Sequence, residues 1–232
     1  MQTSRSTHRT AATSGSGEPA DAALVASRLA DLHVEARTEL DHRDAVELLV
    51  ATVLSAQTTD VRVNQVTPEL FSRWPDPAAL AEAEEAAVAE VVRPLGMGPT
   101  RARRIISLAQ GLVTRHEGQV PDDQAALEAL PGVGRKTAHV VRGAWFGHSL
   151  LAVDTHVGRL SRRLGWTART DPRKVEEDVV ARMEADGTGA DAEELTVLSL
   201  RLILHGRRVC TARAPRCGQC VLVDHCPQVG LA

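Results

Sequence analysis

Aromatic side chains are scarce in this 232-residue sequence, which has no tyrosine, two phenylalanines and three tryptophans. A core with so few rings must consist mainly of Ala, Val and Leu, which favours close-packed helices. No apolar run approaches the roughly 18 residues that a bilayer-spanning helix needs, so we expect no transmembrane segment. A secretory signal is also missing, because the Ser/Thr/Gly-rich start lacks an apolar stretch. We predict a disordered tail over residues 1–22, with a basic, acid-poor targeting segment as the alternative.

A large excess of one charge is absent as well, since the formal net charge is only −3. The charges are nevertheless unevenly distributed. Residues 134–163 contain six Lys or Arg and one acid, and residues 201–216 contain five Arg and no acid, whereas acids collect over 76–90 and 176–194. A one-sided basic surface on a nearly neutral protein is typical of phosphate binding. The alternative is a set of solvated helix faces.

Helical periodicity dominates the chain after the tail, and we find neither alternating strand patterns nor a repeat of roughly 20–50 residues. Asp60, Asp76 and Asp154 are placed to cap helices, and Gly165 and Gly206 are placed to end them. The sequence therefore predicts an all-α fold.

All four cysteines lie in the last 23 residues, with the spacing C-x6-C-x2-C-x5-C. Two disulfides would require an oxidising compartment, for which there is no export signal. Zinc usually takes two closely spaced pairs of ligands, and only one such pair is present. Uneven spacing suits four thiolates around an iron–sulfur cluster, so the cluster is favoured over the other two interpretations. The candidate ligands are Cys210, Cys217, Cys220 and Cys226.

The six residues between the first two cysteines, TARAPR, contain two arginines and no acid. A cluster that fixes both ends of this loop would hold Arg213 and Arg216 outward at a constant position. We therefore expect the cluster to fold a basic loop for the phosphate backbone of DNA rather than to catalyse a reaction.

The segment LPGVGRKTA combines a helix-stopping proline with two glycines that lie two positions apart. Pro131 ends one helix, and the glycines allow a tight hairpin with positive φ angles. Free N–H groups of the hairpin and of the next helix's first turn would form a phosphate cradle that does not read bases. An ordinary turn between packed helices is the alternative. The expected contacts are Gly132, Val133, Gly134, Arg135 and Thr137.

Lys136 lies in the first turn of that helix, where the helix dipole opposes positive charge. An ordinary lysine is neutral at pH 7 only about once in 2,500, a handicap of roughly 4.6 kcal/mol for a nucleophile. The dipole supplies at most about 2 kcal/mol, and desolvation in a pocket would supply more. Lys136 is therefore a candidate amine nucleophile, with simple phosphate binding as the alternative.

Asp154 follows Lys136 by 18 residues and has two compatible roles. It is an expected N-cap, and its carboxylate is suited to accept a proton or to stabilise positive charge on a sugar. A carboxylate near Lys136 would favour the charged amine, so we do not expect Asp154 to activate the nucleophile.

Five motifs occur in a fixed order: LSAQTTD (54–60), LPGVGRKTA (130–138), AVDTHVGR (152–159), LILHGR (202–207) and the four cysteines. Their combination resembles the endonuclease III family, bifunctional DNA glycosylases of the helix–hairpin–helix superfamily, over residues 24–228. The resemblance implies a base-excision-repair enzyme that removes oxidised pyrimidines such as thymine glycol and then cleaves the strand by β-elimination. Lys136 matches the family's nucleophilic lysine, which forms a Schiff base, and Asp154 matches its catalytic aspartate.

The resemblance also implies the helix–hairpin–helix DNA glycosylase fold, with two α-helical domains on either side of a DNA-binding cleft. Residues 38–148 would form a six-helix barrel domain with the hairpin. Residues 23–37 and 149–232 would form the domain that carries a [4Fe–4S] cluster. The implied partner is damaged double-stranded DNA, and we expect a monomer that acts in the cytoplasm at the nucleoid, without a membrane.

Within this resemblance, Gln57 matches the polar residue that fills the gap left by a flipped nucleotide; a glutamine that bridges helices is the alternative. Met97 stands where the family usually has a leucine wedge, in a Gly- and Pro-containing loop that departs from the commoner sequence. Opposite-base preference and flipping efficiency are therefore open. His139 replaces a common asparagine and is a candidate phosphate contact or packing residue, whereas His156 and His205 are expected to be structural.

Two other functions remain as alternatives. The adenine-mismatch glycosylase branch shares the hairpin and the cysteine spacing, but it usually lacks the lysine and carries a long additional C-terminal domain. Lys136 and the end at Ala232 disfavour that branch. A non-catalytic helix–hairpin–helix DNA-binding protein is disfavoured by the presence of both Lys136 and Asp154.

Overall fold

A computed structural model of the protein describes residues 17–187 and 194–231. Throughout these residues the regular structure is helical, without a β-strand, which confirms the all-α fold expected from the sequence. None of the described helices is both long and apolar enough to cross a membrane. The α-helices are α1 (Ala22–Leu32), α2 (Ala45–Leu54), α3 (Asp60–Arg73), α4 (Pro77–Ala81), α5 (Glu85–Val92), α6 (Gly98–His116), α7 (Gln124–Glu128), α8 (Arg135–Ala144), α9 (Thr155–Arg163), α10 (Pro172–Ala185) and α11 (Glu194–Arg208).

Helices α2 to α8 surround one hydrophobic core, whose buried residues run from Leu40 to Val141. Helix α2 is almost entirely buried among the others, because it is apolar on nearly every side and buries eight of its ten residues. Helix α6 is amphipathic and contributes Ile105, Leu108 and Leu112. This core carries the glycine hairpin, which connects α7 to α8.

A second core joins α1 to α9, α10 and α11, so segments far apart in sequence share it. Leu29, Leu160 and Leu202 are buried there. The indole Nε1 of Trp166 donates a hydrogen bond of 2.7 Å to the carbonyl oxygen of Ala20 and fastens the start of the described chain to this core. The cysteine-bearing end of the chain packs against the same core.

Several helix ends differ from those expected. Asp76 and Asp154 cap α4 and α9 as predicted. Asp60 does not cap α3, because the side chain of Thr59 accepts the capping hydrogen bond from Arg62 and Asp60 is the first helical residue. Helix α11 continues two residues past Gly206, where the lack of a Cβ admits the ring of His156. Helix α5 lies in the acidic stretch and was not predicted.

The expected tail over residues 1–22 lies mostly outside the described residues, which begin at position 17. Its predicted end is too late. Ala20 and Ala22 are buried, the N–H of Ala20 donates to the carbonyl of Leu164, and Asp21 caps α1. The tail was assigned too far because the small residues before α1 look polar-rich by composition, although they pack against the second core.

Candidate functional site

Lys136 and Asp154 line the same cavity, which is open to solvent. Lys136 lies in the first turn of α8, and Asp154 immediately precedes α9. The cavity lies between the two cores, because α2 and α8 form part of its wall and α11 forms another part. The remaining lining residues are Arg37, Thr38, Glu39, Leu40, Thr52, Ser55, Asp60, Val140, Leu200, Ile203, Leu204 and Arg207.

The side chain of Lys136 is exposed, and within the described ranges we find no hydrogen-bond or ion-pair partner for its ammonium group. Gly134 occupies the N-cap of α8, and the first turn contains no acidic residue. The dipole of α8 therefore acts on Lys136 without a compensating carboxylate in that turn. The burial of Lys136 that the sequence analysis expected is not present in the free protein, because its side chain is exposed.

Asp154 is held in place by its capping role. Its Oδ1 accepts hydrogen bonds from the N–H groups of His156 and Val157, at 2.7 and 2.8 Å. Its Oδ2 has no hydrogen-bond partner in the part of the chain that the structure describes, so one carboxylate oxygen remains available to a substrate. Burial lowers the pKa of His156, and the Asp154 carboxylate opposes this shift, so the imidazole beside Asp154 is neutral at pH 7.

Arg207 forms an ion-paired wall of the cavity that the sequence did not reveal. Its Nη1 and Nη2 each lie 3.1 Å from Oδ2 of Asp60, and its Nη1 also pairs with Glu39. These contacts connect α11 to α3 and to the segment before α2, and they fix charged groups in the cavity that contains Lys136. Asp60 and Arg207 end two of the recognised motifs, but a motif does not show which residue faces which.

The hairpin before α8 has one glycine with a positive φ angle, where the sequence analysis expected two. Gly132 has a φ of 80°, which favours glycine, whereas Gly134 has a φ of −106° and extended geometry. Val133 is buried, and its N–H donates to the carbonyl of Leu130. Val133 therefore offers no free donor to a phosphate. The available donors are those of the glycines and of the first turn of α8, which includes Thr137.

Arg135, an expected DNA contact, and His139, a candidate for either phosphate contact or packing, both have partners within the protein. Arg135 donates two hydrogen bonds of 2.8 Å to the carboxylate of Glu176 on α10, and these bonds raise its pKa. His139 is only 3% exposed, and its Nδ1 lies 3.1 Å from the carbonyl oxygen of Leu151. The structure thus favours the packing role for His139 and gives Arg135 a structural partner.

Gln57 and Met97 are both exposed, Gln57 in the turn between α2 and α3 and Met97 at the N-cap of α6. Both adopt left-handed backbone conformations that non-glycine residues rarely use, with φ values of 61° and 52°. The glycine after Met97 has a packing reason, because a Cβ at Gly98 would lie 2.9 Å from the carbonyl oxygen of Ala89. The unusual loop sequence therefore brings α6 close to α5 while leaving Met97 at the surface.

The four cysteines line a single cavity with Arg163, and none is in a disulfide. Among the described residues no three Cys, His or acidic side chains converge as for one bound metal ion. Burial raises the pKa of the Cys220 thiol to about 11, so a thiolate there requires a cationic partner such as iron. The donor set of four cysteines around one cavity fits an iron–sulfur cluster.

Arginines surround the cysteine cavity on two sides. Buried Arg163 donates to Sγ of Cys210 at 3.1 Å and to the carbonyl oxygens of Thr211 and Ala212 at 2.8 and 3.0 Å. In contrast, Arg213 and Arg216 are exposed and form no ion pair with another described residue. The loop between the first two cysteines is therefore anchored from inside by Arg163 and carries two exposed arginines, of which Arg216 also lines the cavity.

Comparison with protein families identifies two matches. Residues 50–184 match the HhH-GPD superfamily base excision DNA repair proteins, and residues 210–226 match the iron–sulfur binding domain of endonuclease III. The endonuclease III of Synechocystis sp. is 44% identical over 202 residues, which cover 86% of this chain and 88% of that protein. The endonuclease III of Escherichia coli K12 is 40% identical over 202 residues, which cover 87% and 92%.

Solved structures give the same assignment. A trapped endonuclease III–DNA covalent intermediate and a non-covalent endonuclease III–DNA complex each match with a TM-score of 0.81 and 36% identity, over 88% of this chain and 93% and 92% of theirs. A thermostable thymine-DNA glycosylase shares the fold, with a TM-score of 0.74 and 21% identity. The chain therefore belongs to the endonuclease III family, and it is a base-excision-repair enzyme, a DNA glycosylase and abasic-site lyase with a [4Fe–4S] cluster.

Proposed function

We propose that this enzyme removes oxidised pyrimidines, typically thymine glycol, from double-stranded DNA and cleaves the strand at the resulting abasic site. The observation that carries the proposal is the cavity shared by Lys136 and Asp154, at the first turn of a helix that follows a glycine hairpin. The hairpin offers a sequence-independent phosphate contact next to the nucleophile. A lysine and a carboxylate in one cavity favour covalent catalysis over DNA binding alone.

The reaction begins when the damaged nucleotide is extruded into the cavity. DNA that covers the exposed Lys136 removes water from its ammonium group, which together with the helix dipole favours the neutral amine. The Nζ of Lys136 then attacks C1′ of the deoxyribose, the N-glycosidic bond breaks, and the base leaves with a proton. Asp154, through its available Oδ2, stabilises the positive charge that develops on the sugar or accepts the proton that the amine releases.

Strand cleavage follows from the same covalent bond. The C1′–O4′ bond then breaks, O4′ takes up a proton from water, and a Schiff base forms between Nζ of Lys136 and C1′. The positive charge of this Schiff base acidifies the C2′ proton. Loss of that proton expels the 3′ phosphate by β-elimination, and hydrolysis then frees the lysine. When bound, the cluster supplies a cross-link between the four cysteines. The chain's own Arg213 and Arg216 then contact the DNA backbone from the anchored loop.

We further propose that the enzyme acts as a monomer on nucleoid DNA in the cytoplasm. Gln57 and Met97 would enter the duplex at the lesion, since both side chains are exposed at turns between helices. The backbone donors of the hairpin would hold a phosphate nearby.

Borohydride trapping tests the nucleophile directly, because the chain contains only two lysines, Lys136 and Lys174. We expect the parent enzyme and Lys174→Gln to form a covalent adduct with duplexes that contain thymine glycol or an abasic site. Lys136→Gln should form none while it still binds the abasic duplex. Lys174 is a matched control, since it is exposed on α10 and does not line the cavity.

The other outcomes each identify an alternative. An adduct with Lys136→Gln at the parent's rate would refute the assigned nucleophile. A parent enzyme that binds both duplexes but traps neither would refute covalent catalysis through a Schiff base. Trapping at the abasic site without trapping at thymine glycol would refute the proposed substrate class. The abasic-site lyase activity would remain supported.

A further inference from the structure

Arg101, in the second turn of α6, is buried, with only 3% of its surface exposed. Its guanidinium donates to four main-chain carbonyl oxygens: Nη1 to Leu54 at 2.6 Å, Nη2 to Ala56 at 2.8 Å and to Leu95 at 3.4 Å, and Nε to Gly96 at 2.9 Å. No carboxylate pairs with it among the described residues. Burial, reinforced by Arg104, lowers the pKa of Arg101.

The four carbonyls belong to the two turns that carry Gln57 and Met97. The carbonyl of Ala56 belongs to the peptide bond that leads into Gln57, and the carbonyl of Gly96 belongs to the peptide bond that leads into Met97. The guanidinium of Arg101 therefore donates hydrogen bonds to the backbone immediately before Gln57 and immediately before Met97. These two residues are 40 positions apart in the sequence.

Each of these two turns contains a non-glycine residue in a strained, left-handed conformation. Each left-handed non-glycine residue costs roughly 1–2 kcal/mol and persists only where surrounding contacts fix it. Arg101 supplies such contacts at both turns at once, and its planar fork reaches two directions in a way that a lysine ammonium does not. Burial of a charged arginine that has only neutral carbonyl partners costs free energy, and packing alone would not require it. The position of Arg101 between the two turns therefore indicates a role at these turns.

We propose that Arg101 is a positioning residue that holds the Gln57 turn and the Met97 turn in a fixed relationship, so that both side chains enter the duplex together when a nucleotide is extruded. This inference rests on the proposed function, in which Gln57 and Met97 fill the duplex at the lesion. Arg101 itself touches neither DNA nor the reacting atoms.

The test measures lesion extrusion and single-turnover base release for Arg101→Met and Arg101→Lys. A 2-aminopurine base next to thymine glycol reports extrusion by its fluorescence. We expect Arg101→Met to slow extrusion and base release by about 10- to 100-fold, as misplaced groups do. Arg101→Lys should recover part of this loss. Arg103→Met is the control, because Arg103 is exposed on the same helix and its one ion pair among the described residues is with Glu85 at the surface.

A second background separates positioning from general destabilisation. In a Gln57→Ala/Met97→Ala enzyme the two inserted side chains are gone, so adding Arg101→Met should change extrusion by no more than about twofold. An equal fold-loss in the parent and in this background would overturn the proposal, and so would unchanged extrusion by Arg101→Met. If instead the parent enzyme does not release thymine glycol, or its double alanine variant extrudes normally, the proposed function fails rather than the link between the turns.

Discussion

Glu176 on α10 holds Arg135 on α8 through two hydrogen bonds of 2.8 Å, and so joins a helix of the second core to the helix that carries Lys136. The carboxylate is the better buried partner, with 16% of its side chain exposed against 38% for the guanidinium. The pair therefore helps to fix the first turn of α8 relative to α10 of the second core.

Glu176→Gln should lower the free energy of unfolding by about 1 kcal/mol, because it removes the charge of a two-point ion pair while keeping a hydrogen-bond acceptor. Urea unfolding at two salt concentrations measures this effect. Glu177→Gln is the matched control, since Glu177 pairs with Arg169 at 3.4 Å and both partners are largely exposed. Equal effects of the two substitutions would show that the Arg135 pair does not stabilise the interface between the cores.

Gly132→Ala and Gly134→Ala should separate folding from DNA binding. Gly132 has a positive φ, and a Cβ there would lie 2.5 Å from Cγ of Arg104, so alanine should cost about 1–2 kcal/mol of stability. Gly134 has an ordinary φ and open space around the Cβ position, so alanine should leave stability within about 0.5 kcal/mol. It should nevertheless weaken binding to an abasic-analogue duplex, because the new methyl group stands at the phosphate cradle. Parent-like affinity of Gly134→Ala would place the phosphate elsewhere.

Arg163→Met should weaken retention of the cluster. The substitution removes the hydrogen bond to Sγ of Cys210 and the hydrogen bonds to the carbonyl oxygens of Thr211 and Ala212. We therefore expect cluster retention to fall by about 10- to 100-fold. Iron content and visible absorbance during incubation with a chelator measure the loss. Arg162→Met, on the same helix but without a side-chain hydrogen bond to the described residues, should retain iron as the parent does. Similar loss in both variants would make the effect one of net charge.

The sequence predicted the helical class, the capping of α9 by Asp154 and the grouping of the cysteines, because these depend on local spacing and on strongly preferred residue types. It could not predict that Glu176 would engage Arg135, that His139 would be buried, or that Arg101 would join two distant turns. Each of these depends on which helix faces lie opposite one another. The prediction that Asp60 caps α3 was wrong, because the neighbouring Thr59 is also a favourable capping residue and occupies the N-cap position.

Asp186→Asn should change how stability depends on pH. Asp186 Oδ2 accepts hydrogen bonds of 2.8 Å from the N–H of Ala22 and from Arg182, and the first of these chiefly lowers its pKa below 3.8. The pKa of Asp186 is lower in the folded protein than in the unfolded chain. Its charge therefore contributes fully to the free energy of unfolding above about pH 4, and this contribution is lost as the pH falls through the folded pKa. The parent should exceed Asp186→Asn by about 1 kcal/mol at pH 7, with a difference that shrinks below pH 4.

Urea unfolding from pH 3 to pH 7 measures that difference. Asp31→Asn is the control, because Asp31 is exposed on α1 and has no hydrogen-bond or ion-pair partner among the described residues. A difference for Asp186→Asn that stays constant down to pH 3 would show that the charge of Asp186 does not contribute.

Asp154→Asn should separate the two roles of that residue. Asparagine caps a helix as well as aspartate does, so Asp154→Asn should unfold like the parent, whereas Asp154→Ala should lose about 1 kcal/mol together with the cap. Both variants lack the carboxylate charge, and both should slow single-turnover base release by about 100-fold or more. Asp171 caps α10 by accepting hydrogen bonds of 3.1 Å from the backbone N–H groups of Arg173 and Lys174. The control substitutions Asp171→Asn and Asp171→Ala should affect stability alone. If Asp154→Asn released the base at the parent's rate, capping would be the whole contribution of Asp154, and the positive charge on the sugar would need another partner in the cavity.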